Sequence, residues 1–398
     1  MKILSITTQK PDSTGSGVYL AEMVKAFHEL GHTQAVIAGI APSDNPSFPR
    51  DVRFEPVYYE TDALPFPVLG MSDEMPYTST RYCDMTPEMV DQLKAAFQGA
   101  VTAVIEEFEP DLIICHHLYL MSASIREVVV DIPLVAICHG TDIRQMRKHD
   151  LEKDYIAHMV QNLDACFALH DEQAAEIVET YGVEKSKVSV IGTGYDSKLF
   201  HDRGRLPASA PGKLRLLYVG KIWEKKGVKS LIRALEYLPY TRDNFELELI
   251  GGHSHIEELE SIQALAKQSR YSVLFRGKYT PAQVAEAYRR NDVFVLPSFF
   301  EGLPLVVIEA LACGCKVVIT DLPGIRDWIE SRIPKASITY VSPPLMKNTD
   351  EPLEECLPAF ERELAEALVR IASEPLRSAS IEDVSWTSLC KELLGKVY

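Results

Sequence analysis

The chain has 398 residues, 46% of them hydrophobic and 25% charged, which is ample for two α/β domains of ordinary size. Its net charge of −16 argues against nucleic acid or anionic lipid as main partners. No apolar run reaches the ~18 residues of a membrane-spanning helix, so no integral membrane segment is expected. Met1-Lys2 leads straight into an apolar strand pattern, too short for a signal peptide. The expectation is a cytoplasmic enzyme with reduced, buried thiols: the eight cysteines are scattered, with no Cys-x-x-Cys and no zinc-type histidine spacing. Residues 1–200 hold 15 Lys+Arg against 30 Asp+Glu, and residues 201–398 hold 26 against 27. A half that holds a diphosphate is not strongly acidic, so an anionic ligand belongs to the second half.

Short β-rich runs fall at 2–7, 34–39, 111–115, 133–138, 165–169 and 187–191, with helical periodicity or loops between them. Segment 171–181 repeats Ala174, Ala175, Ile177 and Val178 on one face, with Asp171 as a cap. Residues 57–85, rich in Tyr, Pro, Met and acids, have no clear period. His201 to Gly212 has linker composition. The pattern restarts at 214–219, with further strands at 245–250, 272–276, 292–296, 316–320 and 338–341, and a final helix around Trp386 and Leu389. Alternating βα units predict α/β architecture with parallel sheets, helices on both faces. The predicted division is 1–200, 201–375 and a terminal segment 376–398.

Four strand-to-helix junctions carry chemistry. In Pro297-Ser298-Phe299-Phe300-Glu301-Gly302-Leu303-Pro304-Leu305, followed by Val306 to Gly314, a strand enters a loop and a helix begins near Leu305. Exposed amides there suit a phosphate or sugar hydroxyls. Glu301 lies in the loop and Glu309 one turn into the helix, where apolar neighbours demand a partner such as vicinal ribose hydroxyls. Val219-Gly220-Lys221-Ile222-Trp223-Glu224-Lys225-Lys226-Gly227 follows the first strand of the second half and precedes a helix near Val228. There Lys221 and Lys226 bring two cations to a diphosphate. Thr14-Gly15-Ser16-Gly17-Val18 sits after the first strand and before a helix, where glycines allow close backbone approach. Cys138-His139-Gly140-Thr141-Asp142 ends another strand and offers His139 to a sugar hydroxyl. His116-His117 ends a further strand and reads as structural.

Together these motifs resemble the retaining glycosyltransferases of sequence family four, closely over 214–325 and loosely over 40–110. The resemblance implies the GT-B architecture: two Rossmann-like doubly wound domains facing across a cleft, an acceptor-side domain first and a nucleotide-sugar donor domain second. The family's Glu-x7-Glu pair falls on Glu301, toward the donor sugar, and Glu309, toward the ribose. The backbone of Gly302, Leu303, Pro304 and Leu305 forms that loop's contact with sugar and phosphate. The basic pair falls on Lys221 and Lys226, although Lys221 stands where the family usually has Arg and so loses the bidentate fork. The acceptor-domain glycine turn falls on Gly15-Ser16-Gly17, with Gly17 toward the donor and Ser16 and Asp142 toward the acceptor. The active-site histidine falls on His139, and Phe275-Arg276-Gly277-Lys278 matches the loop touching the base, largely through backbone. Trp386 marks the helix that crosses back onto the first domain.

The implied reaction is metal-independent transfer from a nucleoside-diphosphate sugar with retention, needing no cofactor, with His139, Lys226 and Glu301 as catalytic residues. No Asp-x-Asp motif occurs. The leaving diphosphate assists deprotonation of the acceptor hydroxyl, and the lysines and loop amides stabilise its charge. A nucleotide-sugar 2-epimerase of the same fold and a non-catalytic nucleotide-sugar-binding module are the competing readings. The acids Glu55, Glu60, Asp62, Asp73, Glu74, Asp84, Glu88 and Asp91, interleaved with Tyr58, Tyr59, Phe66, Tyr77 and Tyr82, predict a neutral or amine-bearing, sugar-like acceptor.

Overall fold

The computed structural model describes every residue except Asp12, Asp73, Pro211, Gly212, Thr349 and Ser378. Of the residues named above, Asp73 of the acidic stretch and Pro211 and Gly212 of the linker lie outside the described residues. The chain divides into two compact units, Met1–Thr193 with Trp386–Tyr398, and Gly194–Ser385.

In the first unit the order is β1 (Lys2–Thr7), α1 (Gly15–Glu29), β2 (Thr33–Ile40), β3 (Arg53–Tyr58), two short strands β4 (Leu69–Gly70) and β5 (Thr80–Arg81), and α2 (Pro87–Phe108). There follow β6 (Leu112–His116), α3 (Leu120–Val128), β7 (Leu134–Ile137), α4 (Thr141–Lys148), α5 (Lys153–Val160), β8 (Ala165–Ala168), α6 (Asp171–Tyr181) and β9 (Val188–Val190). Among the described residues, seven strands form a parallel sheet in the order β3-β2-β1-β6-β7-β8-β9. The apolar runs are fully buried, as strands with helices on both faces must be.

The second unit repeats the plan with β10 (Leu214–Val219), α7 (Val228–Ala234), β11 (Phe245–Ile250), α8 (Ile256–Gln268), β12 (Ser272–Gly277), α9 (Pro281–Arg290), β13 (Val293–Leu296), α10 (Leu305–Ala312), β14 (Lys316–Thr320), α11 (Ile325–Arg332), β15 (Ile338–Val341) and α12 (Leu357–Ser373). Its sheet order is β12-β11-β10-β13-β14-β15. In both sheets the order reverses beside the unit's first strand, at β1/β6 and at β10/β13, and ligands of doubly wound sheets bind outside the carboxyl ends of the strands there. The last helix, α13 (Trp386–Val397), belongs to the first unit, with Trp386, Leu389, Cys390 and Leu393 buried.

Several sequence expectations are corrected. The predicted linker is held down over His201–Ala210: Arg205 donates to the carbonyls of Tyr288 and Asn291, and Ser209 bonds Asp292. Composition registers polarity but not these fixed partners. Helix α6 is capped by His170, whose Nδ1 accepts from the Gln173 amide, and Asp171 is its first helical residue. The irregular stretch carries the end of β3 and all of β4 and β5, and its aromatics mostly turn inward: Tyr59, Phe66 and Tyr82 are buried in the core and Tyr77 packs partly buried against it, which leaves Tyr58 exposed. Cys83 is exposed, unlike the buried thiols.

Candidate functional site

In the second unit two loops meet at the β10/β13 switch point. Gly227 makes the meeting possible: its φ is +71°, and a Cβ there would fall on the Pro297 carbonyl oxygen. The Phe299 amide donates to the Lys225 carbonyl, locking the loops further. Lys226 from one loop then reaches Glu301 from the other, Nζ to Oε1 2.7 Å, and lies 3.4 Å from the Phe300 carbonyl. Both side chains of this pair are only partly shielded from solvent, so the pair remains open to exchange partners with a ligand. Lys225 pairs with the buried Asp350 at 3.1 Å. Lys221 stacks its ammonium over Trp223, 3.7 Å from the ring centroid, a contact a planar fork is not needed for.

Helix α10 begins at Leu305 after Pro304, with no side chain capping it, so its first-turn amides point outward from an apolar seat formed by the buried Leu303 and Pro304. Glu309 is half-buried on the second turn. Tyr288 of α9 donates to the Val306 carbonyl at 3.1 Å and lies 3.5 Å from Glu309 Oε2. Burial, then the Glu309 charge, pushes the Tyr288 phenol well above its usual pKa, so it stays a donor.

A hollow of about 450 Å³ lies at the ends of β10, β11 and β12, lined by Ile222, Leu249, Gly251, Gly252, Phe275 and Lys278; sequence reasoning named its Phe275–Lys278 side and missed Gly251 and Gly252. The readable signal was Gly251-Gly252 directly after a strand: a Cβ on Gly251, at φ +153°, would strike the Gly220 carbonyl. Gly277 lines the same hollow, while the neighbouring Arg276 guanidinium turns to Glu248, Nε 3.0 Å and a terminal nitrogen 2.7 Å from the same oxygen. Arg276 therefore offers a ligand its backbone and not its side chain.

In the first unit the residues converge on the ends of β1, β6 and β7. Gly15, Ser16 and Gly17 are not a turn ahead of the helix but the first turn of α1, with Thr14 as its N-cap, accepting from the Gly17 amide at 3.1 Å. His117, read from sequence as structural, is the hub. Its backbone holds φ +85°, a costly conformation for a side-chain-bearing residue and one that gathers at functional sites. Its Nδ1 is 2.6 Å from Asp142 Oδ1, and its Nε2 is 3.0 Å from Ser16 Oγ and 2.9 Å from Gln9 Nε2.

Asp142 is fully buried and also accepts from the amides of Leu118 (2.9 Å) and His139 (3.1 Å) and from the Thr141 hydroxyl (3.3 Å). With its oxygens so engaged it holds the Leu118 and His139 loops and the His117 ring in place. Burial works to raise its carboxyl, and the His117 charge and these hydrogen bonds outweigh that and hold it below the usual range. His139 packs edge-on to Tyr19 at 5.0 Å, stacks on His116 at 5.6 Å and meets His117 at 4.9 Å. Burial, with the His117 charge adding to it, lowers its ring to about 3, so it is neutral at physiological pH. Tyr19 is fixed by donating to the Gly192 carbonyl at 2.9 Å and by the Trp386 ring at 4.7 Å.

Two doubly wound units of this topology, with lysines and carboxylates at the switch-point loops, define a GT-B glycosyltransferase. Sucrose-phosphate synthase from Thermosynechococcus elongatus has the same fold, with a TM-score of 0.66 and 18% identity over 99% of this chain and 98% of that one. The sequence matches the family described as Glycosyltransferase Family 4 over residues 13–199 and that described as Glycosyl transferases group 1 over 207–340. The chain belongs to this family-four group and is an enzyme of the glycosyltransferase class. It is similar to a D-inositol 3-phosphate glycosyltransferase of Xylanimonas cellulosilytica, at 26% identity over 81% of each chain. It is also similar to a glycogen synthase of Mycobacterium tuberculosis, at 24% identity over 83% of this chain and 80% of that one. Among the described residues no helix is long and apolar enough to cross a membrane.

Proposed function

We propose that the enzyme moves a sugar from a nucleoside-diphosphate sugar to a hydroxyl of a sugar-like acceptor, with retention of anomeric configuration and without a metal ion. The observation that carries this reading is the Lys226–Glu301 pair at 2.7 Å beside the uncapped start of α10. Glu301 and the backbone amides of Gly302, Leu303 and Leu305 take the sugar hydroxyls and phosphate. Lys226 then releases Glu301 to meet the diphosphate, and Lys221 swings from Trp223 to join it. Glu309 accepts from the ribose, and the base enters the hollow beside Gly251 and Gly277. Charge grows on the leaving diphosphate as the glycosidic bond breaks, and the two ammonium groups and loop amides stabilise it. The same phosphate oxygen takes the acceptor's proton as the new bond forms on the same face. His139, as a neutral imidazole, bonds a donor-sugar hydroxyl, with Gly17 and Ser16 nearby in the first unit.

For the acceptor we infer a neutral or amine-bearing, sugar-like molecule. Glu60, Asp62, Glu74, Glu88 and Asp91 are exposed, whereas Arg81 is paired with Asp84 at 2.6 Å and Lys10 with Asp44 at 2.7 Å. The test of the chemistry is the anomeric configuration of the product, read by proton NMR in the presence of a chelator. Retained configuration with undiminished turnover is expected. Inversion, or loss of turnover restored by a divalent ion, overturns the mechanism.

A further inference from the structure

We propose that His117 and Asp142 form a positioning pair that holds His139 in a fixed orientation, with one ring nitrogen reserved for a substrate hydroxyl and His117 set against the Asp142 carboxylate. This rests on the reading of His139 as a substrate contact and goes beyond it by assigning the cause. Three observations support it. Asp142 ties the His139 backbone amide, the Leu118 amide and the His117 ring into one knot through hydrogen bonds of 2.6–3.1 Å. His139 Nε2 is buried and has no partner, as are both ring nitrogens of the His116 that stacks on it, whereas His117 and Asp142 have their polar atoms engaged. The His117 backbone sits at φ +85°, a conformation that persists only where surrounding bonds impose it.

Electrostatics explain why a histidine stands between the carboxylate and His139. A bare buried carboxylate beside an imidazole draws a proton onto it. With its Nδ1 on Asp142, His117 takes up that carboxylate, and its coulombic effect adds to burial in disfavouring a second proton on His139. The other groups around His139 are His116, which stacks on it, Tyr19 on α1, Cys138 preceding it, and Asp142 itself. Tyr82 and Tyr181 face Asp142, and Cys390 and Glu392 of α13 face Tyr19. Burial pushes the Tyr19 phenol and the Cys138 thiol above their usual ranges, so both stay neutral. His116 is likewise lowered by burial and by its neighbouring histidines. Asp142 is therefore the negative group in contact with the cluster, and His117 is the group that occupies it.

His117→Gln keeps a hydrogen-bonding side chain and removes the ionisable ring. The expected result is a rise in the His139 titration midpoint of about one unit or more, followed by carbon-13 NMR of the ring. An acid limb should appear in kcat/KM, falling about tenfold per pH unit below that midpoint, where the parent enzyme is flat. Adding Asp142→Asn should move the midpoint and the limb back down. A loss of activity equal at every pH, with the His139 midpoint unmoved, makes His117 merely structural and overturns the proposal. If His117→Gln does not fold, Asp142→Asn alone decides: faster hydrogen exchange at the Leu118 and His139 amides is required, and unchanged protection overturns the knot. Should the midpoint move while His139→Ala transfers sugar normally, the pair stands and the substrate role of His139 fails.

Discussion

Glu309 and Lys226 have different tasks in the same loop system, and single substitutions separate them. In the proposed reaction Glu309 accepts from a ribose hydroxyl present before and during the chemistry, so Glu309→Ala should weaken the binding of a nucleoside diphosphate by roughly 1.5–3 kcal/mol, the range for hydrogen bonds to a charged group. Calorimetric titration of the folded variant checks this, and an unchanged affinity removes Glu309 from the ribose. In the same proposal Lys226 meets charge that grows as the bond breaks, so Lys226→Ala should lower kcat by a larger factor than it raises KM. Steady-state kinetics in which only KM moves would reduce the residue to plain binding.

The loops between elements depend on backbone geometry as much as on their charges. Gly227 lets the β10 loop touch the β13 loop at Pro297. Gly227→Ala should cost roughly 1–3 kcal/mol in urea unfolding and weaken nucleotide binding with it. Gly99→Ala, inside α2 with open space around it, should instead stabilise by about 0.5–1 kcal/mol. Equal effects at the two sites would contradict the packing described here.

A second tie between elements is Glu248 of β11, nearly fully buried, which accepts from Arg276 of β12, Arg290 of α9 and Asn291. Burial raises its carboxyl, but the two guanidinium groups and the amide outweigh that and leave it below its ordinary value of 4.5. A depressed carboxyl stabilises the fold above its unfolded pKa and loses that contribution as pH falls through the folded one. The second unit should therefore lose stability below about pH 4.5, and Glu248→Gln should flatten that part of a stability-versus-pH curve while lowering stability at pH 7.

At the scale of the molecule, charge is distributed by task. The first 200 residues carry nearly all of the net −16, and the exposed acids between Glu60 and Asp91 belong to the unit that offers His139 and Ser16. A cationic acceptor should react faster than an anionic analogue, with the advantage shrinking as salt rises from 10 mM to 500 mM, since screening lengths fall from ~30 Å toward a few ångströms. Rates for a panel of neutral, amine-bearing and phosphorylated acceptors settle it. A phosphorylated acceptor preferred at low salt would mean that this surface serves solubility and not selection.

What the sequence determined by itself was whatever depends on neighbours in the chain. Alternating apolar runs and turns marked both doubly wound sheets, because a strand buried on both faces reads as a continuous apolar segment. The two loops proposed for the donor were legible as motifs because Lys221, Lys226, Glu301 and Glu309 lie in two contiguous strand–loop–helix segments. Short edge strands such as β3 escaped, since Arg53–Tyr58 is mostly half-exposed and mixes charge with apolar residues. Only the tertiary structure decided what rests on distant partners. It turned Tyr59, Phe66 and Tyr82 inward, gave the Arg276 side chain to Glu248, and pinned the apparent linker through Arg205. It also joined His117 to Asp142, 25 positions on, and to Ser16, 101 positions back. No local periodicity encodes those pairings: parallel strand order brings the ends of β1, β6 and β7 side by side, and that order is set by packing over the whole unit.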